Sequence, residues 1–180
     1  SDGVIAIIIT ILVLELKIPH GGELLQLRPL IAVFGCHVLS FIFIGIYWNN
    51  HHHLLQAVQK ISGPVLWANL HFLFWLSLIP FATGWMGEND FARVPVAFYG
   101  VILLMCAVAY TILIRMLLRV HEDDSPLVKA IGDDWKGKVS LLIYVIGMGL
   151  ALLKPWISIL CYVAVAVIWL IPDKRIEKVL

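Results

Sequence analysis

The sequence predicts an all-α integral membrane protein, with six transmembrane helices forming one domain over residues 1–180. Three observations carry this. Hydrophobic residues make up 61% of the chain and charged residues only 14%, against about 25% charged in an average soluble domain. A water-facing surface needs more polar side chains than that. The apolar residues fall into continuous runs separated by Pro, Gly and charged residues, near the length a bilayer requires. None of the runs alternates apolar with polar residues as a transmembrane barrel strand would.

The first run covers residues 3–18 and stops at Pro19-His20-Gly21-Gly22. It opens on Ser1-Asp2-Gly3 and carries one hydroxyl, Thr10, in an otherwise apolar stretch. On a helix Ile7, Ile11 and Leu14 share a face, with Thr10 beside them. That face either lines a lumen or packs as ordinary core. Ser and Asp at a helix start satisfy orphan amides, so Asp2 is either a cap or part of a polar network. Because the chain opens directly on this run, its start reads as incomplete.

The second run covers 30–48, with Pro29 suited to its first turn and a polar continuation over 49–59. There the sequence reads Trp48-Asn49-Asn50-His51-His52-His53. Adjacent histidines point about 100° apart on a helix and cannot share one metal; one of them could instead reach Asp2. The third run, 65–86, carries Asn69, His71, Trp75 and Ser77, and Pro80 opens it locally. Polar groups at membrane depth pair with one another, so interhelical hydrogen bonding is expected of them.

The fourth run covers 94–118 and is followed by a polar loop holding Glu122, Asp123, Asp124, Asp133 and Asp134. The fifth, 139–153, contains Gly147 and Gly149, spaced for close packing, and Lys154-Pro155 turns into the sixth, 156–171. The first and fifth runs are short for a span. Trp67, Trp85 and Trp156 fall near run ends, where amphipathic rings favour the interface. Glu15 is placed near the outer interface.

With six spans, one side holds Lys60, Arg115, Arg119, Lys129, Lys136, Lys138, Lys174, Arg175 and Lys178, and the other only Lys17, Arg28, Arg93 and Lys154. This asymmetry puts both termini in the cytoplasm. The cysteines Cys36, Cys106 and Cys161 lie in apolar runs with no CxxC pair, so neither a disulfide framework nor a zinc site is expected. A net charge of +1 gives no reason to expect nucleic acid as a partner. The sequence contains no Thr-Val-Gly-Tyr-Gly filter, arginine ladder, HExxH, GxSxG or P-loop, and no enzyme activity, cofactor or metal is expected.

Ser1-Asp2-Gly3-Val4, with Ala6-Ile7, Thr10 and Leu14-Glu15-Leu16, resembles the first helix of the transmembrane protein 175 family of potassium channels. There the signature reads Arg-x-x-x-Phe-Ser-Asp, of which this chain shows the Ser-Asp half. Tyr47-Trp48-x-x-His51-His52 and Leu78-Ile79-Pro80-Phe81 are similar to the family's second and third helices. The resemblance implies a prokaryotic single-repeat member: a homotetramer around a central pore lined by the first helix, conducting potassium ions through the cell membrane. It implies Ile7 as the main constriction, Ile11 and Leu14 continuing that face, and Thr10 contributing to potassium preference. It also implies a structural polar network of Ser1, Asp2, Trp48, His51, His52 and Asn69. The alternative is a proton-permeable pore or small ion transporter using Asp2 and the histidines.

Overall fold

The computed structural model describes residues 1–20, 22–58, 60–121 and 135–170, apart from the side chain of Pro29. Its elements are α1 (Asp2–Leu14), a 3-10 helix (Leu24–Leu30), α2 (Ile31–Gln56), α3 (Gly63–Ser77), α4 (Ile79–Glu88), α5 (Arg93–Val120), α6 (Trp135–Ala151) and α7 (Pro155–Leu170). The described regular structure is entirely helical. The acidic loop residues Glu122, Asp123, Asp124, Asp133 and Asp134 and the basic residues Lys129, Lys174, Arg175 and Lys178 lie outside the described residues.

Helix boundaries depart from the apolar runs in several places. α1 stops at Leu14 rather than at 18; Pro19 disfavours helix at Ile18 only, and nothing in the sequence marks the earlier stop. Pro29 falls in the 3-10 segment, and α2 starts two residues later. α2 then continues through Asn49, Asn50 and all three histidines to Gln56. Polarity alone did not end it, since no Gly or Pro interrupts this stretch. The third run divides at Leu78 into α3 and α4, where Pro80 has no amide hydrogen to continue the ladder.

By length and composition Ile31–Gln56, Gly63–Glu88 (α3 and α4 together) and Arg93–Val120 can cross a membrane. Asp2–Leu14 and Pro155–Leu170 are apolar but shorter.

α5 packs against α3, α4, α6 and α7, while α1 lies against α2, α3 and α4. Between helices in lipid, close packing and hydrogen bonds do the work, because leaving lipid brings no hydrophobic gain. Tyr162 of α7 shows the packing. Its ring fills the space beside Gly147 of α6, where an added Cβ would stand 2.8 Å away. Its hydroxyl meets Gly100 of α5 and donates to the Val96 carbonyl at 3.3 Å. Gly149, expected to pack as closely as Gly147, faces open space.

A buried chain of hydroxyls ties α2, α4 and α5 together. Ser40 Oγ lies 2.9 Å from the Tyr99 hydroxyl and 2.6 Å from Thr83 Oγ1, which donates to the Ile79 carbonyl at 2.7 Å. The run of donors is therefore Tyr99 to Ser40 to Thr83 to backbone. The α4–α5 turn places Asp90 and Phe91 at φ 48° and 56°, costly for L residues. The Phe91 ring, 4.8 Å from that of Trp156, is held there by packing on α7.

Candidate functional site

α1 has two distinct faces. Ile5, Ile8 and Leu12 are buried against the neighbouring helices. Ile7, Ile11 and Leu14 are 59%, 41% and 79% exposed. The i, i+4, i+7 face is thus outside the packing of this chain, which removes the reading of it as ordinary core within the chain. Thr10 is exposed too, and its hydroxyl donates to the Ile7 carbonyl at 2.7 Å. With the hydrogen spent on its own helix, the oxygen lone pairs are what the hydroxyl presents outward.

The Ser1 end of α1 is held by a side-chain network. The Nε2–H of His51, on α2, donates to Asn69 Oδ1, on α3, at 2.8 Å. Asn69 Nδ2 in turn donates to Ser1 Oγ at 3.0 Å. The orientation of the amide fixes the tautomer: Nε2 of His51 carries the proton, leaving Nδ1 without a hydrogen-bond partner among the described residues. His51 is fully buried and its ring stacks on Phe72, with centroids 5.6 Å apart and planes at 18°. Three helices therefore meet through one amide.

Ser1 occupies the cap position of α1 but makes no side-chain cap bond. Its hydroxyl serves Asn69 instead, so the capping expectation gives way to an interhelical one. Asp2 lies in the first turn, where its charge suits the helix dipole. Its Oδ2 is 3.8 Å from His52 Nδ1, with the Asp2 side chain 62% exposed. The Trp48 ring lies 5.7 Å from that of His52, on the exposed side of α2. The structure thus brings Ser1, His51 and Asn69 into direct hydrogen bonding, and sets Asp2, His52 and Trp48 alongside. His71, Trp75 and Ser77 do not cross between helices: Trp75 Nε1 donates to His71 Nε2 at 2.9 Å, and Ser77 to the Phe74 carbonyl at 2.7 Å.

At the Leu14 end the structure adds contacts that the sequence did not announce. His37 Nδ1, on α2, lies 3.2 Å from the Leu12 carbonyl, which the end of α1 would otherwise leave without a partner. Lys17 Nζ pairs with Glu88 Oε1 at 2.6 Å, joining the end of α1 to the end of α4. The Glu88 carboxylate raises the pKa of this exposed ammonium through hydrogen bonding and charge. The Glu15 carboxylate lies over Gly84 of α4, 3.3 Å from where a Cβ would stand. The available clue was His37 itself, since a lone imidazole in an apolar run needs a partner.

The chain is similar along nearly its whole length to a potassium channel of Chryseobacterium sp. (strain P1-3), at 54% identity over 99% of this chain and 93% of that protein. The family model described as endosomal/lysosomal potassium channel TMEM175 matches residues 1–80. This chain belongs to the TMEM175 family. Among other relatives, a potassium channel of Streptomyces collinus is 31% identical over 72% of this chain and 67% of that one. The crystal structure of a lysosomal potassium-selective channel TMEM175 homolog from Chamaesiphon minutus superposes with a TM-score of 0.83, at 26% identity, covering 96% of this chain and 93% of that one. The stretch matching the TMEM175 model contains α1, α2, α3 and the start of α4. It therefore holds both the exposed α1 face and the His51–Asn69–Ser1 network.

Proposed function

We propose that the chain is one subunit of a potassium-selective, leak-type channel of the cell membrane, a homotetramer of six-span subunits around a pore lined by α1. The observation that carries this reading is the division of α1: Ile5, Ile8 and Leu12 inward, Ile7, Ile11 and Leu14 outward. The naming of the relatives as potassium channels supports it. Four copies of Ile7 meeting on an axis form an apolar constriction able to dewet and block ions. Ile11 and Leu14 extend that constriction, and four Thr10 oxygens offer weak dipoles to a partly dehydrated cation. Potassium sheds water at lower cost than sodium, so the preference is moderate. Ser1, Asn69 and His51 then anchor that end of α1, with Asp2, His52 and Trp48 beside them and both termini cytoplasmic.

The test is reconstitution into liposomes with flux measured in potassium, sodium and choline. Potassium flux above sodium and none with choline is the expected result; equal flux of all three, or no flux, overturns the proposal. A second reading, a proton-permeable pore, is favoured by the 3.8 Å approach of Asp2 to His52. It predicts acidification of the same vesicles under a proton gradient, abolished by Asp2→Asn.

A further inference from the structure

The geometry points to a binding site for a small uncharged amphiphile between α2 and α7, with its head in a polar cavity and its body in an apolar groove. This goes beyond the channel reading and does not depend on it. The cavity, of about 30 Å³, is lined by Tyr47, Asn50, Thr111, Ser140 and Tyr144 among others. The groove, of about 310 Å³, is lined by Phe41, Ile42, Gly45, Trp169 and Leu170. Ile46, Asn50 and Trp169 border both, so the two spaces adjoin.

The hydrogen-bond inventory of the cavity wall decides the ligand chemistry. Ser140 is occupied, donating to the Lys136 carbonyl at 2.8 Å and accepting from Trp169 Nε1 at 2.9 Å. Thr111 spends its hydrogen on the Ala107 carbonyl, and Asn50 Nδ2 donates to the Ile46 carbonyl, so each offers a side-chain oxygen as an acceptor. Tyr144 is 1% exposed. Neither its hydroxyl nor that of Tyr47 hydrogen-bonds to another described residue. Two phenol donors and two acceptors thus border one small space, where a ligand hydroxyl can both accept and donate.

Among the described residues, no side chain that lines either space is charged, which favours a neutral ligand. A cavity needs roughly 10–15 Å³ to hold one water-sized group, so this one, at about 30 Å³, takes a small hydroxyl-type head. The rest of the molecule must lie in the groove, where Phe41, Ile42 and Leu170 suit a compact hydrocarbon body. A short alkylphenol meets each of these requirements.

The experiment uses the chain reconstituted in liposomes and a diazirine-bearing alkylphenol, with labelled positions located by mass spectrometry. Saturable labelling on residues 41–50 or 169–170, competed by the unlabelled alkylphenol, is expected. Tyr144→Phe keeps the ring and removes the donor, and should weaken apparent affinity about five- to tenfold. Ala107→Leu, which fills the cavity from α5, should abolish the saturable component; both variants are compared at matched monodisperse elution. Labelling spread over all lipid-facing helices without saturation overturns the site. So does affinity unchanged by Tyr144→Phe, which would leave the cavity to water.

Discussion

The buried imidazole of His51 and the half-buried amide of Asn69 meet at 2.8 Å, and through that amide Ser1, at the cap position of α1, is fastened to two other helices. Asn69 satisfies a histidine donor on one side and directs its own donor to Ser1 on the other. Few side chains could replace it, because both roles require a carbonyl and an amine held in one plane.

Asn69→Leu should therefore lower stability more than its loss of polarity suggests. The His51 donor would be left buried and unmet, a cost of about 1–2 kcal/mol. Thermal unfolding of the purified protein should show a reduced Tm, while Asn69→Gln, which keeps both groups, should recover part of the loss. An unchanged Tm in Asn69→Leu would mean that the network adds nothing to stability.

Ile7→Asn should leave the fold intact, because Ile7 is 59% exposed and packs little within the chain. If four Ile7 side chains close the pore, the polar replacement wets it and raises potassium flux in liposomes severalfold. The matched substitution Ile8→Asn, at a position 3% exposed, should instead impair folding. Equal behaviour of the two variants would remove the distinction between the faces.

Thr10→Ala should reduce the preference for potassium over sodium, read as a shift in reversal potential, with Thr10→Ser retaining it. The hydroxyl donates to the Ile7 carbonyl at 2.7 Å, so serine can place its oxygen in the same way. Reversal potentials equal in all three proteins would take selectivity away from this position.

Gly147→Ala should destabilise through contact, since the new Cβ would stand 2.8 Å from the Tyr162 ring. Overpacking of this kind costs about 1–3 kcal/mol. Gly149→Ala, two residues away and facing open space, is the control and should leave Tm unchanged or slightly raised, since Ala suits a helix better than Gly. At Gly100 the obstacle is the Tyr162 hydroxyl, so Tyr162→Phe should relieve part of the cost of Gly100→Ala.

Much of the helical architecture was legible because the bilayer imposes simple demands of length and apolarity, and Pro80 marked the division at Leu78. The end of α2 was less so: Asn49 to His53 read as a polar continuation of the second run, and the sequence does not show where that continuation stops being helix, which is at Gln56. At the candidate site, the spacing of Ile7, Ile11 and Leu14 defined a face, but only the burial of Ile5, Ile8 and Leu12 showed which way it points. Ser1, His51 and Asn69 were visible as polar residues in need of partners. His37 was missed because its partner is the Leu12 carbonyl, and a backbone acceptor leaves no mark in a sequence. Tyr47 and Tyr144 were missed because an unmatched hydroxyl is a property of the surrounding helices, not of the residue.

The fastenings of α1 have a mechanical consequence. One end is tied through Ser1 to Asn69, and the other through the Leu12 carbonyl to His37 and through Lys17 to Glu88. A rod pinned at both ends resists swinging outward, but it can still turn about its own length if the pins are single bonds. In the proposed tetramer, a turn of roughly 60–100°, the angular offset of Thr10 from Ile7 and Ile11 on an ideal helix, would exchange the residue facing the axis. The turn that withdraws a hydrocarbon side chain would then bring an oxygen into its place.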